Sequence, residues 1–112
     1  MATSAATVRR LALSLPATSE EPHHEMTSFR VGGKIFATMP REGGRVHVFI
    51  DEEAVASYCA EFKGTVEELW WGKKLRGCRV LLGRANVALV RELLTESWRR
   101  RAPKRVLAEF DG

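Results

Sequence analysis

The sequence predicts an α+β fold: an antiparallel β-sheet of about five strands, a meander plus a hairpin, packed on one face by N- and C-terminal helices. Apolar residues recur at helical spacing at the two ends, as Val8, Leu11 and Leu15 and again as Val87, Val90, Leu94 and Trp98. Short strand-like runs lie between them, punctuated by Gly32-Gly33 and Gly43-Gly44. The order is helix, meander, helix, hairpin, helix, which suits one sheet covered on one side.

The first helix is expected over Thr7–Leu15, with Ala12 beside its apolar face and Pro16 as its stop. Residues 16–25, with two prolines, Thr and Ser, read as a loop. Strands follow over 26–31 and 34–40, joined by Gly32-Gly33, because glycine tolerates the positive φ of a two-residue hairpin turn. Arg41-Glu42-Gly43-Gly44 forms the next turn. Over 45–51, Val46, Val48 and Ile50 alternate with His47 and Phe49, so one face is core. Asp51 caps a helix from Glu52 to about Phe62, and the two acids of its first turn suit the helix dipole.

A second strand pair is read from VEELWWGKK and RGCRVLLG, joined around Lys73–Gly77, although Glu67-Glu68-Leu69 also suits a helical turn. The last long helix runs from near Asn86 to about Arg101, with Leu93 beside its stripe. Pro103 interrupts it, and a short helix follows over Lys104–Phe110. The uncovered sheet face must be partly polar, and Thr27, Thr38, His47 and Arg79 are assigned to it.

With 112 residues the chain is a single domain. Residues 1–5, small and polar, are expected to fray. No apolar run is long enough to span a bilayer, and the N-terminus lacks a secretory pattern, so a cytoplasmic protein is expected. Cys59 and Cys78 sit at apolar positions and read as free buried thiols, since no C-x-x-C pair is present.

Charge is the strongest functional signal. Between Lys73 and Arg105 there are eleven Lys/Arg and two acids, Glu92 and Glu96. The rest of the chain has seven bases and twelve acids, so a segment of +9 is joined to a body of −5. Concentrated positive charge attracts polyanions, nucleic acid foremost.

The largest cluster is Arg99, Arg100, Arg101, Lys104 and Arg105, with side chains suited to phosphates. The same residues also suit a solvated helix end, where cations complement the dipole and Glu96 reaches Arg99 and Arg100. Three consecutive arginines fan around a helix, so at least one stem must lie along the core.

Lys73, Lys74 and Arg76 make a basic hairpin tip, or wing, and Arg41 and Arg45 flank a weaker one. Lysines in turns are also ordinary solubilising residues. Trp71, beside the basic tip, is a candidate stacking residue. Strand alternation sends Trp70 and Trp71 to opposite faces, so one of them is expected in the core.

Glu20-Glu21-Pro22-His23-His24-Glu25 is the one place where a metal or small ligand is conceivable, and a polar loop is the expected reading. No nucleophile–base pair or phosphate loop is recognisable. No enzyme activity, cofactor or metal is therefore expected.

Three segments, LALSLPATSEEPHHE (11–25), SFRVGGKIFAT (28–38) and SWRRRAPKRV (97–106), together with Trp71-Gly72, a basic turn and CRVLL (78–82), resemble the MmcQ/YjbR family of small bacterial proteins. The resemblance covers roughly residues 8–110. It implies an α+β fold like that of bacterial frataxin homologues, and DNA binding through a double-wing arrangement. The wings would fall at Arg41–Arg45 and Lys73–Arg76. It implies no catalytic residues. The sequence departs from the family pattern over Thr65–Leu69. Iron binding, as in frataxins, would need a row of carboxylates on the first helix and first strand; none lies between Met1 and Thr18, and Arg9 and Arg10 stand there instead.

The expected function is non-enzymatic DNA binding of low sequence specificity, by a monomer or weak dimer with no membrane partner and no known small-molecule substrate. The alternatives are a protein-interaction or adaptor domain using the open sheet face, and a small-molecule or metal site at Glu20–His24.

Overall fold

Four helices and six strands form the protein in a computed structural model that describes residues 2–111. In chain order these are α1 (Ala5–Leu13), β1 (Thr18–His23), β2 (Met26–Val31), β3 (Lys34–Pro40), β4 (Arg45–Val48), α2 (Glu52–Glu61), β5 (Val66–Trp71), β6 (Lys74–Leu81), α3 (Val87–Arg101) and α4 (Lys104–Asp111). The strands make one antiparallel sheet of order β1-β2-β3-β4-β6-β5. The α+β class is as the sequence predicts.

The sixth strand is the correction. Residues 18–23 were read as loop, yet β1 pairs with β2 along its full length, from Thr18 opposite Val31 to His23 opposite Met26. Pro22 is accommodated because β1 is an edge strand, where a missing N–H breaks no ladder on the outer side.

Cross-strand partners in an antiparallel sheet point to the same face. One row of partners runs Glu20, Phe29, Ala37, Val48, Cys78, Glu68, and its four central members are buried in the core. The adjacent row, on the opposite face, runs Glu21, Ser28, Thr38, His47, Arg79, Glu67 and is polar throughout. Thr38, His47 and Arg79 therefore lie on the open face as expected. Thr27 does not: it pairs with buried Met39, and its hydroxyl donates to Glu20 Oε2 (2.8 Å). Glu20 in turn accepts from Arg9 of α1 (2.7 Å), which holds its carboxyl below the usual range, so this trio belongs to the helix side.

α1 and α3 pack over the core row, and α2 covers the β5–β6 side. α1 starts earlier than its apolar spacing suggests because the Ser4 side chain accepts from the Thr7 N–H (3.1 Å) and caps it. Thr3 is buried; its N–H donates to the Leu82 carbonyl and its hydroxyl to the Ala85 carbonyl. Met1, within the stretch expected to fray, lies outside the described residues. Asp51 and Asn86 cap α2 and α3 through the N–H groups of Ala54 and Leu89. Trp98 of α3 is fully buried, and its indole N–H donates to the Pro16 carbonyl (3.1 Å).

The strand expected over 45–51 stops at Val48. There the Phe49 N–H leaves the ladder and donates to Ser97 Oγ of α3 (3.0 Å), while the same hydroxyl reaches the Phe36 carbonyl. A buried serine thus fixes α3 to both strands and frees Phe49–Asp51 to turn into α2.

A candidate nucleic-acid interface on the open sheet face

The β5–β6 hairpin turns at Gly72 (φ +61°) and Lys73, not over Lys73–Gly77 as the sequence suggested, so Lys74 and Arg76 belong to strand β6. Residues 66–71 are strand without a helical turn. Gly77 serves close packing instead: a Cβ there would lie 1.9 Å from the Val48 carbonyl oxygen. A register shift at Leu69/Trp70 accompanies the hairpin.

Both tryptophans are exposed, Trp70 at 50% and Trp71 at 55%, and the expectation that one lies in the core fails. They sit at the hairpin end of β5, an edge strand. The Trp70 indole donates to Glu68 Oε1 (3.1 Å). Trp71 meets Phe49 edge to face (centroids 5.8 Å), and the Arg76 guanidinium carbon lies 4.6 Å from its ring centroid.

Antiparallel register places the 32–33 turn, the exit of β4 and the 72–73 turn at one end of the sheet. The C-terminus of α3 reaches the same end: Arg100 binds Asp51 at the start of α2 (2.9 Å), and a Cβ on Gly32 would come within 2.9 Å of the Pro103 ring. A groove of about 630 Å³ runs along the open face from His23 and His24 to this end. Its wall is Trp71 and Phe49, its floor Thr38, His47 and Ile35, and its cations are Lys34, Arg76 and Arg101. Among the described residues no carboxylate lines it. Lys73 and Lys74 are exposed on the adjoining hairpin.

His47 is held on the floor with Nδ1 3.3 Å from the Thr38 hydroxyl. Its Nε2 is buried and has no hydrogen-bond partner within the protein. Burial, and then the neighbouring charges of Arg45 and Arg79, lower its pKa to about 4, so the ring is neutral at physiological pH.

The sequence-derived candidates divide. Lys73, Lys74, Arg76, Trp71 and Arg101 converge at or beside the groove. Arg99 and Arg100 are engaged elsewhere: Arg99 makes two hydrogen bonds to Asp111 (3.2 and 2.8 Å), and Arg100 pairs with Asp51 and more loosely with Glu96 (3.9 Å). Lys104 and Arg105 are exposed at the start of α4 and make no ion pair among the described residues.

Arg41 and Arg45 lie toward the other end of the sheet. Arg45 pairs with Leu81 and Trp71 with Lys74, so the two tips are separated by the length of β6, roughly 23 Å at about 3.3 Å per residue. Arg41 there shares a hollow with Glu20 and Glu21. The two basic turns therefore stand at opposite ends of the sheet.

The sequence reading missed Lys34, Phe49 and the floor position of His47. The clue for Lys34 was its place next to the Gly32-Gly33 turn. For Phe49 it was alternation, which put it on the polar side of its strand.

Elsewhere the side chains are chemically quiet. Cys78 is buried, and its thiol is pushed up to about 12 chiefly by burial; burial also raises the half-buried Cys59. The Tyr58 hydroxyl, donating to Glu92 Oε2 (2.6 Å), is raised by burial and then by that carboxylate. The His23 and His24 rings touch edge to face at 4.6 Å, and among the described residues no group of three or more His, Cys, Asp or Glu converges as a metal site would. Among the described residues no helix is long and apolar enough to cross a membrane.

The YjbR family profile matches residues 13–100. The fold is similar to the crystal structure of Deinococcus radiodurans protein DR2400, which carries the DUF419 domain: the TM-score is 0.72 at 20% identity, over 93% of this chain and 85% of that one. At that identity the likeness concerns the fold. No curated protein matches the chain.

Proposed function

The chain belongs to the YjbR family, and on that premise we propose that it is a non-enzymatic DNA-binding protein of low sequence specificity whose contact surface is the open-face groove and its basic rim. The observation that carries this reading is the composition of the groove: three cations, an exposed tryptophan and no carboxylate, with Lys73 and Lys74 beside it. Lysine and arginine neutralise phosphates without reading sequence, and an exposed aromatic next to them offers a stacking surface to any base. Ion pairs engage Arg79, Arg99 and Arg100 within the protein, so these three are not counted on the contact surface.

Fluorescence anisotropy of a labelled oligonucleotide tests the reading at about 50 and about 200 mM salt. Binding at low salt that weakens steeply at the higher concentration is expected. No binding at low salt, or binding indifferent to salt, overturns it. An adaptor role is the competing reading, favoured by the paired arginines and the exposed Trp70. It gains if the protein ignores oligonucleotides.

A further inference from the structure

The groove contains more than a DNA backbone requires. Phosphates need cations at a rim, and Lys34, Arg76 and Arg101 supply them. They have no use for an aromatic wall or a neutral imidazole on the floor. The wall is Trp71 and Phe49, with Arg76 already stacked on the Trp71 ring while over half of Trp71 remains exposed. The floor is His47, whose Nε2 is buried and unmatched by any protein group.

Buried polar atoms are nearly always satisfied, so the unmatched nitrogen of this groove-lining ring, itself closed to solvent, marks a place where an incoming group can hydrogen-bond once the lining shifts. The Thr38 hydroxyl at Nδ1 leaves Nε2 as the free end of the ring, and a nucleobase edge carries both donors and acceptors to meet it in either tautomer. The ring is neutral at physiological pH, which suits a base edge better than a phosphate.

Resting on the DNA-binding reading, we propose that the groove takes single-stranded DNA and seats one unpaired base against Trp71 and Arg76, with the base edge hydrogen-bonded to His47. A duplex keeps its bases stacked on one another and cannot present a base face to a protein ring, whereas a single strand can. The volume, about 630 Å³, falls in the range of sites for small organic ligands and accommodates one nucleotide. The rim cations then hold the flanking phosphates. Trp70, which lies outside the groove lining and is tied to Glu68, has no part in this contact.

The test compares three labelled probes of equal length at one low salt concentration: oligothymidylate, the corresponding abasic strand, and a duplex. The base-bearing strand is expected to bind about tenfold more tightly than the abasic one, the share that stacking and one base-edge contact contribute. It is also expected to bind more tightly than the duplex. Trp71→Ala should bring the base-to-abasic ratio close to one, Trp71→Phe should restore much of it, and Trp70→Ala should keep it. Thermal melts of each variant establish that it folds.

Equal affinity for base-bearing and abasic strands in the unmodified protein overturns the proposal, as does tighter duplex binding or a ratio that survives Trp71→Ala. In each case salt-dependent binding persists, and the broader DNA-binding reading stands. If none of the three probes binds at low salt, both fall together.

Discussion

Two clusters of cations, alike in the sequence, meet different fates in the fold. Arg99–Arg105 has more cations, yet its first two members are spent within the protein. Arg99 is held by Asp111, twelve residues downstream, and Arg100 by Asp51, which also caps α2. Lys73, Lys74 and Arg76 are fewer, but among the described residues no carboxylate lines the groove beside them, and Lys34 and Arg101 join them from other elements. Charge density along a chain is thus a poor guide to charge density in space. What matters is whether the fold delivers acids to the same end of the sheet.

The largest effect should come from dismantling the scaffold that gathers the second cluster. Gly77→Ala places a methyl 1.9 Å from the Val48 carbonyl oxygen and 2.9 Å from Phe49 Cα, contacts that only backbone movement can relieve. Overpacking of this kind should cost about 3 kcal/mol or more, seen as a fall in the midpoint of thermal or urea unfolding. A melt within a degree of the unmodified protein would show that the β4 exit does not sit against β6 as described.

Next in size is the loss of the groove-side cations. Lys73→Ala, Lys74→Ala and Arg76→Ala combined should reduce the slope of log affinity against log salt by about 2 and weaken DNA binding across sequences alike. The variant should remain folded, because Lys73 and Lys74 are exposed and make no ion pair among the described residues, and Arg76 loses only a surface cation–π contact worth about 1 kcal/mol. An unchanged slope would remove the hairpin from the interface.

Much of the fold was legible because helices and inner strands advertise themselves by period. Val87, Val90, Leu94 and Trp98 mark α3, and the Gly32-Gly33 pair marks the β2–β3 turn. β1 was not legible. An edge strand of Thr, Ser, two Glu and Pro carries no apolar alternation, since much of its surface meets solvent and its pairing is supplied by β2.

Gly77 misled for a related reason. A glycine among basic residues reads as a turn, whereas here it answers a tertiary contact with β4 that no local pattern encodes. The candidate site was only half legible. Trp71 and the basic hairpin stood out by composition. Lys34, Phe49 and His47 come from separate strands, and only the register of the sheet places them together.

His47 extends the comparison to pH, with an effect of intermediate size. Its folded pKa, about 4, lies below the usual value near 6.5, so the unfolded chain binds the proton more readily. The stability it contributes is complete above about 6.5 and is lost as pH falls toward 4, with Arg45 and Arg79 reinforcing the penalty for a charged ring. The loss should be on the order of 2 kcal/mol, allowing for partial solvent screening. His47→Gln should flatten the dependence of the unfolding midpoint over that window. An equally steep dependence in the variant would assign it to other groups.

The smallest expected effect is the one that defines the contrast. Arg99→Ala with Arg100→Ala removes two of the most conspicuous cations in the sequence. If both are engaged by Asp111 and Asp51, DNA affinity at moderate salt should fall by no more than about twofold, well short of the effect of losing Lys73, Lys74 and Arg76. The pairs are exposed, so stability should change little. The two variant sets are best titrated side by side against the same oligonucleotide. A larger loss from Arg99 and Arg100 than from the hairpin would mean that phosphate draws these arginines away from their carboxylates, and the interface would then have to be moved from the groove to the end of α3.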